Sequence, residues 1–173
     1  MSNARILANL MGTSTTVPSS KLSLSAADMP TGSVLQVVNA TSNTSANITN
    51  SSYQTTGLTA TITPSSTSSK ILVSFSAAMY NNVNNSHAIA SVFRGTTSGT
   101  NLGNDNGGFS SSYAANTTSK NVVTGTVLDT PATTSATTYT VAMKTDGATS
   151  GSVSTYINVN SEVSTLTLME IAG

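Results

Sequence analysis

The sequence predicts an all-β protein, an antiparallel β-sandwich or jelly roll of about eight strands, with a short helical or extended anchor segment at its N-terminus. Three observations predict this class. Apolar and polar residues alternate in many short segments, Asn, Gly, Ser and Pro separate those segments, and no long helical pattern follows residue 32. Alternation sends successive side chains to opposite faces of a strand, and regularly spaced short strands are typical of sandwiches and jelly rolls. We therefore divide the chain into a docking segment, residues 1–32, and a sandwich domain, residues 33–173.

The N-terminal segment has an apolar stripe. Ile6, Leu7, Leu10 and Met11 fall at helical spacing, and Gly12 follows them. A helix of two or three turns is marginal alone, so this stripe needs the body of the protein or a partner to contact. A frayed terminus with chance periodicity is the alternative. The apolar run is shorter than the core of a signal peptide and no later segment suits a membrane span, so we expect no conventional export signal and no membrane insertion.

The strands follow from about residue 33. Residues 58–62 alternate, and Pro64 ends that strand because proline cannot donate a ladder hydrogen bond. The polar run to about Ser69 predicts a turn, and the alternation from Ile71 to Met79 predicts a returning strand, so the two form a hairpin in this interpretation. The eight predicted strands are GSVLQVVNA, YQTTGLTATIT, KILVSFSAAMY, HAIASVFRG, KNVVTGTVLD, TTYTVAMKT, GSVSTYINVN and STLTLMEIA.

Two polar loops are candidates for receptor contact. Residues 81–86 (NNVNNS) and 96–108 (TTSGTNLGNDNGG) are rich in small and amide side chains, which suit both binding loops and ordinary strand connections. Sugar-binding surfaces use exposed aromatic rings, and the chain has no Trp, so the two tyrosines beside these loops are the candidate platforms. The candidate receptor-facing residues are Tyr80, Asn81, Asn82, Asn84, Asn85, Asn101, Asn104, Asp105, Asn106 and Tyr113.

Composition excludes several classes of function. Charged residues make up 7% of the chain and the net charge is zero, so no basic patch is expected to track a nucleic-acid backbone. The absence of Cys excludes disulfides and zinc–thiolate sites. Ser and Thr make up roughly a third of the chain, and large aliphatic residues are few for a packed core. A thin-cored β protein gains by burying more surface against copies of itself, which favours oligomerisation.

Catalytic and metal-binding patterns are weak. His87 is the only histidine, no carboxylate lies near it in sequence, and the six acidic residues are isolated from one another. A hydrolase acting on host-surface polymers would need His87 or a carboxylate pair assembled by the fold. The stretch GNDNGG around Asp105 resembles a calcium loop, but alignment on Gly107 puts Leu102 and Tyr113 where acidic ligands are required. We expect no catalytic residue, no metal and no cofactor.

Five phrases, distributed along most of the chain, suggest a family: MSNARILANLMGTSTTVPSSKL, GSVLQVVN, ITPSSTSSKILVSFS, SATTYTVAMKT and STLTLMEIAG. They resemble small tail-fibre and other virion structural proteins of tailed bacteriophages, especially those of aquatic bacteria. The resemblance implies a homotrimeric sandwich or jelly-roll body whose N-terminal segment docks to the virion. Longer fibres carry a shaft between dock and body, and this chain has almost none, which argues against a long reaching fibre.

The leading hypothesis is a non-enzymatic bacteriophage virion structural protein, a tail-fibre-like knob assembled in the host cytoplasm and exposed for attachment to the host surface. Its expected partners are copies of itself, other virion proteins and host-surface glycans, without nucleic acid. A capsid decoration or head-fibre protein, and a carbohydrate-binding adhesin module, are the alternatives. The expected virion anchors are Arg5, Ile6, Leu7, Leu10 and Met11.

Overall fold

The computed structural model describes residues 25, 28–82, 85–115, 118–146 and 155–173, which form two antiparallel β-sheets and confirm the predicted β-sandwich. The five expected virion anchors, Arg5 to Met11, lie outside the described residues, as does Asn84. The docking role of the N-terminal segment and its helical or extended form therefore stay predictions. Among the described residues, no helix has the length and apolar character needed to cross a membrane.

Eleven strands make up the sheets. In chain order they are β1 (Val34–Ser42), β2 (Ala46–Ile48), β3 (Gln54–Ile62), β4 (Lys70–Asn81), β5 (Ser86–Arg94), β6 (Thr100–Asn101), β7 (Ser110–Ala114), β8 (Ser119–Asp129), β9 (Thr137–Asp146), β10 (Thr155–Ile157) and β11 (Ser164–Ile171).

The eleven strands fill eight strand positions in the two sheets, here called rows, because three of these rows each consist of two consecutive strands separated by a break. β1 pairs with β11 and β2 with β10, while β10 and β11 both pair with the same side of β4; β6 and β7 both pair with β5. The first sheet is therefore β1/β2, β11/β10, β4 and β8, and the second is β3, β9, β5 and β6/β7. In chain order the rows pair first with eighth, second with seventh, third with sixth and fourth with fifth. This is the pairing of an eight-stranded jelly roll.

The eight predicted strands and the eight observed rows differ in two places. Of the described residues of the predicted strand GSVSTYINVN, only Thr155–Ile157 form a strand, β10, which shares a row with β11 rather than forming its own. The row of β6 and β7 was missed, because it falls in and after the predicted loop at residues 96–108. Those strands are short and polar, so their pairing depends on hydrogen bonds to β5 more than on an apolar pattern of their own.

The predicted hairpin between residues 58 and 79 was wrong. β3 belongs to the second sheet and β4 to the first, so the chain crosses between sheets at residues 63–69. Leu58 and Ile62 enter the core from one side, and Ile71 and Val73 enter it from the other. Alternation is the same in both arrangements, because it reports a buried face and not the sheet to which that face belongs.

Glu170 holds the beginning of this crossing segment, at Ser65, through hydrogen bonds. Its side chain is fully buried on β11, where Oε1 accepts hydrogen bonds from the Ser65 backbone N–H at 2.7 Å and from its hydroxyl at 2.6 Å. Oε2 accepts a hydrogen bond from Gln36 Nε2 at 2.6 Å. Burial favours the neutral acid, but the hydrogen bonds from Ser65 and Gln36 outweigh it and hold the pKa of Glu170 below its ordinary value.

A second buried carboxylate joins the two sheets. Asp129, at the end of β8, accepts hydrogen bonds from Arg94 Nη1 at 3.1 Å on each oxygen and from the Tyr139 hydroxyl at 2.8 Å. Arg94 and Tyr139 belong to β5 and β9 of the opposite sheet. Burial, and then the bond to Asp129, raise the pKa of Tyr139. Acidic residues that are isolated in sequence thus acquire partners through the fold.

Candidate contact face and ligand groove

Residues 102–109, here called the covering loop, lie against the outer face of the second sheet, although the side chains of Leu102 and Phe109 at its two ends pack against the core. Ala88, Ala90 and Val92 of β5 face the core, so Ile89 and Phe93 point away from it, yet each is only 4% exposed. The covering loop leaves the sheet after the Leu102 N–H donates to the Val92 carbonyl. It returns where the Phe109 N–H donates to the Ala90 carbonyl, each bond being 2.9 Å long. The loop therefore interrupts the row that pairs with β5, between β6 and β7.

Tyr53 and Lys144 hold the covering loop against the sheet. The Tyr53 ring packs edge-on against Phe93 with centroids 5.2 Å apart, and its hydroxyl donates to the Asn104 carbonyl at 3.2 Å. Lys144 Nζ lies 4.9 Å from the Tyr53 ring centroid and donates to the Asp105 carbonyl. The Tyr53 ring and the Lys144 ammonium thus hold the covering loop in place through an aromatic contact, a cation–π contact and two hydrogen bonds to loop carbonyls.

Three candidate receptor residues, Asn104, Asp105 and Asn106, lie in this loop, and a fourth, Asn101, immediately precedes it. Asn101 Oδ1 accepts hydrogen bonds from the Ser91 hydroxyl and the Gly103 N–H, while its Nδ2 donates to Asp105 Oδ1 at 2.9 Å. Asn104 Oδ1 accepts from the backbone N–H of Asn106 at 2.8 Å. These amides thus have structural partners, although Asn104, Asp105 and Asn106 remain exposed to solvent.

The candidates near the first loop divide between buried and exposed positions. Asn81 is fully buried as the last residue of β4. Its Nδ2 donates to the Ser86 carbonyl at 2.9 Å, so it cannot face a receptor as predicted. Asn82 and Asn85 are exposed. Tyr113 is 50% exposed, donates its hydroxyl to Asn85 Oδ1 at 3.2 Å, and lies with its ring centroid 4.6 Å from that of His87.

The outer face of the first sheet is built differently. Strand register aligns three successive rows of side chains on it, one apolar and two polar, which we call the contact face. None of these side chains is charged, and Val37 and Leu128 are 56% and 49% exposed. The rows are Val37, Met169, Leu72 and Leu128; Asn39, Thr167, Ser74 and Thr126; and Thr41, Thr165, Ser76 and Thr124.

A small groove lies at the other end of the same face, and we call it the Tyr80 groove. Register places Tyr80 of β4 between Tyr156 of β10 and Lys120 of β8. The two tyrosine ring centroids are 6.1 Å apart, and Lys120 Nζ lies 5.7 Å from that of Tyr80. The groove has a volume of about 190 Å³ and is lined mainly by Ala78, Tyr80, Lys120, Val122, Val159 and Glu162.

Glu162 and Lys120 form the polar rim of the Tyr80 groove. Glu162 Oε2 accepts a hydrogen bond from the Asn160 N–H at 2.7 Å, and Oε1 lies 3.0 Å from Lys120 Nζ. The Asn160 N–H, and then the bond to Lys120, hold the pKa of Glu162 below its ordinary value. Sequence reasoning found Tyr80 because it adjoins a loop, but it missed Lys120, Tyr156 and Glu162. No local signal connects them, since Lys120 and Glu162 are 42 positions apart.

The remaining candidates are the acidic residues, His87 and the two tyrosines beside the polar loops. Within the described residues, no group of three or more His, Asp or Glu side chains is placed to hold a metal ion. His87 has Asp146 as its cross-strand neighbour on β9 and Tyr113 on β7, so the fold does bring it a carboxylate that the sequence does not. Tyr80 and Tyr113 lie on different sheets and do not form one platform.

Comparisons with known proteins find little. No protein family matches the sequence, and no curated protein does. Among solved structures, the crystal structure of the infectious bursal disease virus VP2 subviral particle is similar, with 13% sequence identity and a TM-score of 0.44 over 80% of this chain. The chain spans 38% of the length of that protein. A likeness of this degree carries no argument about function, which must come from the surfaces described above.

Proposed function

We propose that this chain is a non-enzymatic structural protein of a bacteriophage virion, a homotrimeric, tail-fibre-like knob fixed through its N-terminal segment and exposed for attachment to the host surface. One observation carries the proposal. The outer face of the first sheet changes from a bare apolar row near the start of β1 to an aromatic and charged groove at the opposite end. Leu72 and Tyr80 mark these ends, about 26 Å apart for eight strand residues.

The contact face fits a second copy of this chain. Two of the seven large hydrophobic side chains that are exposed among the described residues, Val37 and Leu128, belong to the contact face, and Val34 lies on the same outer face beyond its apolar row. Clusters of exposed apolar side chains mark interaction surfaces, and the centres of such interfaces are depleted of charge. In the proposed trimer the contact face lies toward the threefold axis, where like residues of the three subunits approach one another, so a face without charges avoids repulsion there.

Two measurements test this proposal. The molar mass of the full-length protein, measured by size-exclusion chromatography with light scattering, is expected to be that of a trimer, and a monomer would contradict it. A variant that lacks residues 1–20 is expected to fold but to be missing from assembled particles. Normal incorporation of that variant would contradict the anchoring role of Arg5, Ile6, Leu7, Leu10 and Met11.

A capsid decoration or head-fibre protein would use the same surfaces, and gold labelling of assembled particles distinguishes head from tail. A carbohydrate-binding adhesin module is the second candidate function, and the Tyr80 groove favours it. If the chain is an adhesin module, a variant that no longer self-associates should still bind its carbohydrate ligand.

A further inference from the structure

We propose that the Tyr80 groove binds one neutral sugar residue of a host-surface glycan. This inference rests on the proposed attachment role and names the ligand class that the exposed end of the knob takes. The groove combines an apolar wall with one oppositely charged pair of side chains. A pyranose ring has the matching surfaces, because its C–H groups form an apolar patch and its hydroxyls donate and accept hydrogen bonds around the edge.

The apolar wall is formed by Tyr80 with Val122 and Val159. Val122 is 64% exposed on β8, directly beside Ala78 of β4 in strand register. Tyr156 packs beside Tyr80 on the neighbouring strand, which holds the ring in place before a ligand arrives. Because the Lys120 ammonium lies over part of the Tyr80 ring, the C–H face of a sugar would rest on the exposed Val122 side chain and on the part of the ring that Lys120 leaves uncovered.

The polar rim suits adjacent hydroxyl groups. The Lys120 ammonium has three N–H donors, and the Glu162 carboxylate has about four acceptor positions. The Lys120–Glu162 pair and the Asn160 N–H use only part of that capacity. One sugar hydroxyl can donate to Glu162 while its neighbour accepts from Lys120, so a vicinal diol satisfies both side chains together.

The charges of the rim favour a neutral sugar over an acidic one. Glu162 lies 3.0 Å from Lys120, so the ammonium is already neutralised. A ligand carboxylate or phosphate that approached Lys120 would also approach Glu162 and be repelled. The volume of about 190 Å³ is below the range of about 300–1,000 Å³ typical of larger ligand pockets, so the groove fits one ring, such as a terminal residue or a branch.

The experiment uses the full-length protein on a printed array of neutral and acidic glycans, followed by titration of the strongest neutral ligand. We expect the wild type to bind neutral glycans and Tyr80→Ala to bind at least about tenfold more weakly. Tyr113→Ala is the control, because Tyr113 is exposed on the other sheet, and its binding is expected to be unchanged. An array without a neutral ligand, or equal loss in the control, would overturn the inference.

Glu162→Gln keeps the test decisive if Tyr80→Ala folds poorly. This variant removes the charge that neutralises Lys120, so binding is expected to weaken for neutral glycans and strengthen for acidic ones. An unchanged preference would overturn the proposed rim. Molar mass is measured on the same samples. A trimer that binds no neutral glycan contradicts this inference alone, and a monomer that binds one contradicts the proposed knob alone.

Discussion

The two outer faces of the sandwich differ in what covers them. On the second sheet, Ile89 and Phe93 point away from the core and are nevertheless buried, because the covering loop and Tyr53 lie over them. On the first sheet, Val37 and Leu128 are about half exposed in an apolar row that no described segment covers. A single loop inserted in the middle of a strand thus converts one sheet face into interior, whereas the apolar row on the other face has no such cover among the described residues.

The largest effect is expected from opening the covered face with Gly108→Ala. Gly108 has a φ of +59°, and an added Cβ would lie 2.1 Å from the Ala90 carbonyl oxygen. Left-handed backbone and the clash together should lower the free energy of unfolding by about 2–4 kcal/mol, measured by urea denaturation. Gly107→Ala is the matched control, because nothing lies within 4 Å of its added Cβ. Equal losses in both variants would contradict this account of the loop.

A charge on the contact face should break the proposed contact between subunits. Val37→Asp puts a carboxylate in the apolar row, and burying it against a second copy should weaken self-association by roughly 2 kcal/mol or more. Light scattering over a dilution series measures this effect. Val163→Asp is the matched control, because Val163 is similarly exposed, at 61%, outside the contact face. Identical dissociation of the two variants would remove the contact face from the proposed interface.

Acidification should lower the free energy of unfolding of the whole sandwich, and not only the stability of one outer face. The pKa of Glu170 is lower in the folded protein, so its carboxylate stabilises the fold above its unfolded pKa of about 4.3. That contribution is lost as the pH falls through the folded pKa. Glu170→Gln should be less stable at neutral pH and should lose less stability on acidification, as measured by urea midpoints from about pH 7 to 3. Asp146→Asn, which removes an exposed carboxylate, is the control. If the urea midpoints of the two variants depend on pH in the same way, the buried Glu170 carboxylate is not the cause of the loss of stability in acid.

The smallest effect is expected from Tyr53→Phe, which retains the ring on Phe93 but removes the hydrogen bond to the Asn104 carbonyl. The loss should be about 1 kcal/mol. Hydrogen exchange should be faster at the Gly108 amide, which donates to Asn104 within the covering loop. Tyr113→Phe removes a hydroxyl bonded to Asn85 and should leave that amide unchanged. Unchanged exchange in Tyr53→Phe would show that the loop does not need this bond.

Features that depend on neighbouring residues were predicted correctly, and features that depend on contacts between distant segments were missed. The alternation from Ile71 to Met79 predicted β4 correctly, since a strand with one buried face repeats every two residues. β6 and β7 have too little apolar pattern to be found, and their partner β5 provides the hydrogen bonds. Tyr80 was found beside a loop, whereas Lys120 and Glu162 meet it only through strand register and a returning turn.

The all-β class, most strand positions and the lack of charge could be read from the amino-acid sequence, because each depends on composition or on residues a few positions apart. The folded chain was needed to show that β3 and β4 enter different sheets, that residues 102–109 lie over one outer face, and that Asp129 and Glu170 have buried partners. These outcomes depend on contacts between distant segments. Local alternation is the same whichever sheet a strand joins, so only the packing of the whole chain selects among them.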